Sequence, residues 1–131
     1  IIEEPFKSRD HTERILPTMG ADIRTDGLKI TVNPIEKLNP IEMNIPADFS
    51  SAAFFIVAAV IVPGSELLIE NVGINPTRTG LLNILKRMGA DIEIMNKRVI
   101  YGEPVADLLC RYSGTLIATN VFSEEIPKSI D

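Results

Sequence analysis

Two identical pentapeptides decide how this chain is expected to fold: Met19-Gly20-Ala21-Asp22-Ile23 and Met88-Gly89-Ala90-Asp91-Ile92. Each copy follows a predicted helix, which its glycine ends, and precedes a predicted two-stranded hairpin. This shared context favours an internal duplication over a chance identity. The repeated unit is predicted to run strand-helix-strand-helix-strand-strand, a pattern typical of helices packed on sheets.

The first half of the chain predicts one helix and three short strands. Ser8 is the predicted N-cap of a helix over residues 9–19, and Pro17 is expected to bend or fray its last turn. Strands are predicted at residues 22–24 and 28–32, with Asp26-Gly27 as the hairpin turn, and another at residues 41–45.

The second half predicts two longer helices between strands. Asp48 introduces a helix over residues 49–62, whose apolar residues occupy nearly all sides, as in a helix that is buried all round. Asn75-Pro76 is a predicted helix start, with the proline at the first helical position, and the helix is expected to run from about Thr77 to Met88. Strands are predicted at residues 66–72, 91–95, 99–101 and 105–111, and the last stretch, residues 123–131, is expected to be a loop or the start of a helix.

Composition excludes several classes of protein. With 45% hydrophobic and 24% charged residues, the chain is globular rather than disordered. A net charge of −5 argues against a nucleic-acid partner, and any phosphate site would need positive charge from elsewhere. The longest apolar run, residues 52–63, is shorter than the roughly 20 residues that span a bilayer, and no signal peptide is apparent. We therefore expect a soluble cytoplasmic protein with no membrane partner.

Neither cysteine nor histidine suggests a metal or redox site. Cys110 is the single cysteine, which excludes an internal disulfide and is expected to be a small apolar residue of a strand. His11 is the single histidine, and no metal-ligand spacing is present. Ile1 opens the chain without an initiator methionine, and Asp131 ends it without a closing element. We therefore expect an internal piece of a longer protein.

Three predicted helix starts carry the residues that could bind an anion. Ser8 and Arg9 place a hydroxyl and a guanidinium at a helix N-terminus, which favours phosphate or a hydroxy acid. The alternative for this motif is a capped helix with a solvated arginine. Residues 48–51 and 75–80 are the other two starts, for which capping, close helix packing and a surface arginine are sufficient explanations.

Several of these segments together resemble the EPSP synthase (3-phosphoshikimate 1-carboxyvinyltransferase) family. They are Ser8-Arg9-Asp10-His11-Thr12-Glu13 and residues 50–59, 62–65, 75–80 and 86–92, in the same order as in that family. The resemblance covers residues 4–131 and is closer to the bacterial branch with Ser/Thr-Arg-Asp-His-Thr-Glu than to the branch with Lys-Pro-Tyr.

The resemblance implies a fold, an α/β (α+β) inside-out barrel built from repeated βαβαββ units, of which this chain holds only a part. In that family the chain crosses between two domains near the position of Ala47. Residues 1–46 are therefore expected to end one domain, and residues 47–131 to begin the second stretch of the other. The complete enzyme is expected to be a monomer, whereas the piece has open sheet edges and could self-associate.

The resemblance also implies an activity. The family transfers the enolpyruvyl group of phosphoenolpyruvate to the 5-hydroxyl of shikimate 3-phosphate and releases phosphate, with no metal or organic cofactor. The residues that grip phosphoenolpyruvate in the family lie outside this stretch, so the isolated chain is expected to give no turnover.

Three residues match the family's site. Ser8 and Arg9 match residues that contact shikimate 3-phosphate. Asp131 matches the aspartate that binds the reacting hydroxyl, where a carboxylate can take the hydroxyl proton as the C–O bond forms. His11 stands where the other branch has a tyrosine that lines the shikimate pocket, and its role is left open.

Two alternatives remain at this point. The UDP-N-acetylglucosamine enolpyruvyl transferases share the fold and the chemistry, although their motifs are not seen in this sequence. A non-catalytic folded fragment or association module is the alternative of another class.

Overall fold

Two three-stranded antiparallel sheets form the framework of the computed structural model, which describes residues 1–130. The first sheet contains β1 (Ile2–Glu3), β2 (Asp22–Asp26) and β3 (Lys29–Asn33), in the order β1-β3-β2. Between β1 and β2 lie α1 (His11–Ile15) and a 3₁₀ turn (Leu16–Met19) that continues it.

The second sheet is larger and carries the main helices. Its strands are β4 (Glu66–Gly73), β5 (Asp91–Ile100) and β6 (Glu103–Arg111), in the order β4-β6-β5. Helix α2 (Phe49–Ile61) precedes β4, and α3 (Gly80–Arg87) connects β4 to β5. After β6 the chain forms a 3₁₀ turn (Ser123–Glu125) and a short helix α4 (Ile126–Ser129).

Both copies of the pentapeptide close a helix in the same way. Gly20 and Gly89 adopt left-handed φ angles of 94° and 90°, where other residues are strained. The next N–H group in each copy, that of Ala21 or Ala90, donates to a carbonyl five residues earlier at 3.1 Å or 3.0 Å. This is the Schellman closure, and it turns the chain into the following hairpin.

A further hydrogen bond recurs beyond each hairpin. The carbonyl of Met19 accepts the N–H of Asn39 at 2.8 Å, and the carbonyl of Met88 accepts the N–H of Ile117 at 2.9 Å. In each copy, the segment that follows the hairpin is therefore tied to the end of the preceding helix. The predicted helix-to-hairpin repeat is confirmed.

The core lies between α2, α3 and the second sheet. Ile56 and Val60 of α2 are fully buried, as are Leu108 and Cys110 of β6. Burial raises the pKa of the Cys110 thiol to about 11, so it is a packed apolar residue as predicted.

The prediction that α2 is buried all round is wrong for the described part of the chain. One side of the helix faces the sheet, whereas Phe54 and Phe55 on the other side are 79% and 62% exposed. Within residues 1–130 both rings therefore keep most of their surface accessible to solvent. The continuous apolar sequence therefore gives a helix with one buried face and one open apolar face.

The start of the first helix differs from its prediction. Ser8 is not the N-cap, because its hydroxyl donates to the carboxylate of Glu4. The helix begins at His11, and Asp10 occupies the N-cap position without a side-chain capping bond. The expected effect of Pro17 is confirmed, since the helix ends in a 3₁₀ turn around that residue.

Two other boundaries were also predicted wrongly. Residues 41–45 form no strand, because prolines flank them and the nearest sheet bridge joins Ala47 to Val72. The helix expected from Thr77 begins only at Gly80, because the side-chain oxygen of Asn75 accepts the Thr77 N–H and bends the chain into a turn.

The second hairpin, formed by β5 and β6, contains one long strand where two were predicted. β5 is continuous across residues 91–100 but bulges between Met95 and Arg98, where Asn96 has a φ of 50°. The carboxylate of Asp107 accepts a hydrogen bond from the side-chain amide of Asn96 at 2.8 Å and fixes this bulge.

In the first hairpin, formed by β2 and β3, the turn is Gly27-Leu28, one residue later than predicted.

None of the helices formed by residues 1–130 has the length and apolarity needed to cross a membrane.

Candidate functional site

The three predicted helix starts meet in space, and Asn75 lies where they meet. Its side chain is buried, with 1% of the residue exposed. The amide nitrogen donates to Asp10 Oδ1 at 2.8 Å and to Glu103 Oε2 at 3.1 Å. The amide oxygen accepts the N–H and the hydroxyl of Thr77 at 2.9 Å and 2.7 Å. Both donors and both acceptor positions of this side chain are thus used.

Helix α1 is held against the second hairpin by Arg14, which also pairs with Asp10. Arg14 donates two parallel bonds to the Asp10 carboxylate, at 2.8 Å and 2.9 Å, and a third to the carbonyl of Gly102 at 3.1 Å. Burial alone would raise the pKa of Asp10, but the hydrogen bonds from Arg14 and Asn75 and the charges of Arg14 and Lys7 lower it below its ordinary value. Asp10 is therefore a carboxylate at neutral pH.

Gly102 allows the close approach that these bonds require. It has a φ of 80°, and a Cβ at this position would lie 2.9 Å from the carbonyl oxygen of Arg14. Any side chain here would push α1 away from the turn between β5 and β6.

His11 faces the same cluster from the first turn of α1. Its Nδ1 lies 2.8 Å from Glu103 Oε1, so the other carboxylate oxygen of Glu103 is free to accept Asn75. The histidine whose role the sequence left open thus pairs with a buried carboxylate.

Asp48 and Arg78 join the remaining two helix starts. Asp48 Oδ2 accepts the N–H of Ser51 at 2.9 Å, which confirms Asp48 as the N-cap of α2. The backbone N–H of Ser51, together with further hydrogen bonds and the nearby Arg78, lowers the pKa of Asp48. Arg78 Nη2 donates to Asp48 Oδ1 at 3.2 Å and also to Ser50 Oγ.

A cavity of about 240 Å³ lies among these groups. Its walls are mostly apolar and include Ile15, Ile45 and Phe49, whereas His11 and Arg78 are among its polar lining residues. Such a combination of apolar walls and a few charged groups is typical of small-molecule sites.

The predicted site residues lie beside this cluster. Ser8 and Arg9 are exposed, immediately before the buried Asp10. Arg9 Nη2 donates to the carbonyl oxygen of Ile130 at 3.1 Å. Asp131, the third predicted residue, lies outside the described residues. Arg9, near the start of the chain, therefore contacts Ile130, the residue that precedes Asp131.

Sequence reasoning missed Asn75 and Glu103. The sequence places Asn75 only in a predicted helix start, and no local pattern marks Glu103. Their partners are distant in sequence, since 65 residues separate Asn75 from Asp10 and 92 separate His11 from Glu103. The one local signal was an asparagine two residues before a threonine, which predicts a turn but not a tertiary contact.

Within residues 1–130 no group of three His, Cys, Asp or Glu residues is placed to hold a metal ion.

Comparison with known proteins identifies the family. The family model for EPSP synthase (3-phosphoshikimate 1-carboxyvinyltransferase) matches residues 1–131. The chain belongs to the EPSP synthase family. It is 52% identical over 131 residues to the 3-phosphoshikimate 1-carboxyvinyltransferase of Syntrophomonas wolfei, covering 100% of this chain and 30% of that protein. The enzyme of the same name from Crocosphaera subtropica is 53% identical over 135 residues, covering 99% of this chain and 29% of that protein.

A solved structure agrees with this assignment. EPSP synthase from Acinetobacter baumannii superimposes with a TM-score of 0.88 at 45% sequence identity, covering 96% of this chain and 29% of that one. The predicted fold class is confirmed as a part of the enolpyruvyl transferase fold of EPSP synthases. The chain spans about 30% of the length of the curated relatives that it matches.

Proposed function

We propose that this chain supplies part of the shikimate 3-phosphate site of an EPSP synthase. The complete enzyme would transfer the enolpyruvyl group of phosphoenolpyruvate to the 5-hydroxyl of shikimate 3-phosphate and release phosphate. The observation that carries this proposal is the hydrogen bond from Arg9 to the Ile130 carbonyl, since it joins two candidate parts of one site across 121 residues of sequence.

In this proposal each residue has a separate role. The guanidinium of Arg9 and the hydroxyl of Ser8 bind polar groups of shikimate 3-phosphate, because both are exposed beside a helix start. Asp131 accepts the proton of the reacting hydroxyl while the oxygen of that hydroxyl forms the new C–O bond.

The 131 residues are expected to be insufficient for turnover by themselves. The matched relatives are about three times longer, and the net charge of −5 leaves this part poorly suited to bind two anionic substrates alone. We propose that residues 1–46 end one domain, that residues 47–131 begin the second stretch of the other, and that the complete enzyme is a cytoplasmic monomer.

The test is steady-state kinetics of the complete transferase that carries this sequence, with the variant Arg9→Ala. Loss of one charged hydrogen-bonding partner, worth about 1.5–3 kcal/mol, should raise the KM for shikimate 3-phosphate by roughly 10- to 100-fold. The KM for phosphoenolpyruvate should stay the same. Arg24→Ala is the matched control, because its side chain is 78% exposed on β2.

Two results would contradict the assignment. Phosphate release with UDP-N-acetylglucosamine but not with shikimate 3-phosphate would point to the other enolpyruvyl transferases. An equal, small effect of Arg9→Ala and Arg24→Ala would remove Arg9 from the site.

The second candidate function is self-association, which the open apolar face of α2 favours. Phe54 and Phe55 are both more than half exposed on one helix. Sedimentation velocity of the 131-residue chain should then show concentration-dependent dimers, and Phe54→Ser with Phe55→Ser should restore the monomer. A monomer at all concentrations would exclude this candidate.

A further inference from the structure

We propose that Asn75 is a positioning residue for substrate binding, which fixes the segment bearing Arg9 relative to the loop bearing Arg78. This inference rests on the proposed role of Arg9 in binding shikimate 3-phosphate. Asn75 itself is buried and is not assigned a contact with substrate.

The two ends of the Asn75 side chain hold different segments. Its amide nitrogen donates to Asp10, the residue after Arg9, at 2.8 Å. Its amide oxygen accepts two hydrogen bonds from Thr77, the residue before Arg78. One side chain therefore connects the immediate neighbours of both arginines.

The surroundings of Asn75 require an amide at this position. Asp10 and Glu103 present one carboxylate oxygen each to the same amide nitrogen. Only a side chain with two donors on one atom and an acceptor on another can satisfy both carboxylates and Thr77 together. A carboxylate would add a third negative charge, and an apolar side chain would leave buried acceptors without their donor.

Both carboxylates that accept the Asn75 amide are held by further partners. Arg14 holds Asp10 through two bonds of 2.8 Å and 2.9 Å, and His11 lies 2.8 Å from Glu103. Among residues 1–130, Asp10, His11 and Arg14 of the α1 segment face Asn75 or its partners, as do Glu103 of β6 and Lys7, whose Nζ lies 3.8 Å from Asp10. Asp48 and Arg78 line the same cavity as Asn75.

Asn75→Asp tests the proposal because it keeps the shape and replaces only the donor. Between two carboxylates the new acid should have a raised pKa, so that at low pH it is protonated and can still donate one hydrogen bond. As pH rises it loses that proton, and the cluster then repels itself. Asn83→Asp is the matched control, because it adds the same charge at an exposed position on α3.

The first measurement is the KM for shikimate 3-phosphate of the complete transferase between pH 5.5 and 8.5. Relative to the unaltered enzyme, Asn75→Asp should raise this KM at least tenfold at pH 8.5 and much less at pH 5.5, with the KM for phosphoenolpyruvate unchanged. Asn83→Asp should stay within twofold throughout. A uniform loss of kcat without a change in either KM would overturn the proposal, since it would indicate a purely structural role.

The second measurement needs no substrate and separates this inference from the proposed function. Amide hydrogen exchange of the complete transferase without substrates, at pH 8, should rise at least tenfold in Asn75→Asp at Arg14 and Arg78, while β6 remains protected. The N–H groups of these two residues donate to the carbonyls of Asp10 and Asn75 at 3.1 Å and 2.8 Å. Unchanged exchange at these residues, or faster exchange throughout the chain, would overturn the positioning role. If amide exchange in Asn75→Asp changes as expected but Arg9→Ala leaves the KM for shikimate 3-phosphate unaltered, the proposed function fails and the structural link through Asn75 stands.

Discussion

Replacing Gly102 by alanine should loosen the contact between α1 and the second hairpin. An alanine in the left-handed region costs about 1–2 kcal/mol wherever it occurs. At Gly102 the new Cβ would also lie 2.9 Å from the carbonyl oxygen of Arg14, so backbone must move. That movement stretches the hydrogen bond from Arg14 to the Gly102 carbonyl, and a bond of this charged type is worth about 1.5–3 kcal/mol. We expect a total loss of about 2.5–5 kcal/mol.

Gly27→Ala separates the two contributions. Gly27 lies in the turn of the first hairpin with a φ of 59°, and its added Cβ would meet no atom within 4 Å. This control should therefore lose only the conformational part, about 1–2 kcal/mol. Urea unfolding of both variants, followed by circular dichroism with equal m-values, measures the difference. Equal destabilisation would refute the reasoning, because it would mean that α1 tolerates the displacement at no cost.

Four further outcomes are expected. Asp48→Ala should destabilise the chain by about 1 kcal/mol in urea unfolding, whereas Asp48→Asn keeps the N-cap acceptor and should lose much less. Ile56→Ala, at a fully buried site, should cost about 2–5 kcal/mol, whereas Phe54→Ala, at a 79% exposed site, should change stability by less than about 0.5 kcal/mol. Folding lowers the pKa of Asp10, so the stability that this carboxylate contributes is present above pH 3.8 and is lost as the pH falls through its lower folded pKa. The urea midpoint should drop in this pH range, and less steeply in Asp10→Asn. The Cys110 thiol, with a pKa of about 11 and no exposed surface, should react with a thiol reagent only after unfolding.

The elements that could be predicted from the sequence are those that local chemistry determines. The two glycines of the pentapeptides end their helices because that conformation is available to glycine at little cost. Asp48 could be predicted as an N-cap for a similar reason, since its hydrogen-bond partner, Ser51, is only three residues away in sequence.

The errors arise where a distant or competing partner decides the outcome. Ser8 had the right side chain for a cap, but Glu4 accepts its hydroxyl instead. Two strands were predicted where β5 is continuous, because Asp107 on the neighbouring strand holds Asn96 in a bulge rather than a break. The hydrogen bond from Arg9 to Ile130 joins residues 121 positions apart, which no local pattern predicts. Asn75 likewise could not be recognised without the tertiary fold.

The helix closures at Gly20 and Gly89 have a consequence for how such duplications persist. Every hydrogen bond that closes the two copies joins main-chain atoms, so the geometry places almost no demand on side-chain identity beyond the glycine. Mutation can therefore erase the resemblance between the copies while the architecture survives.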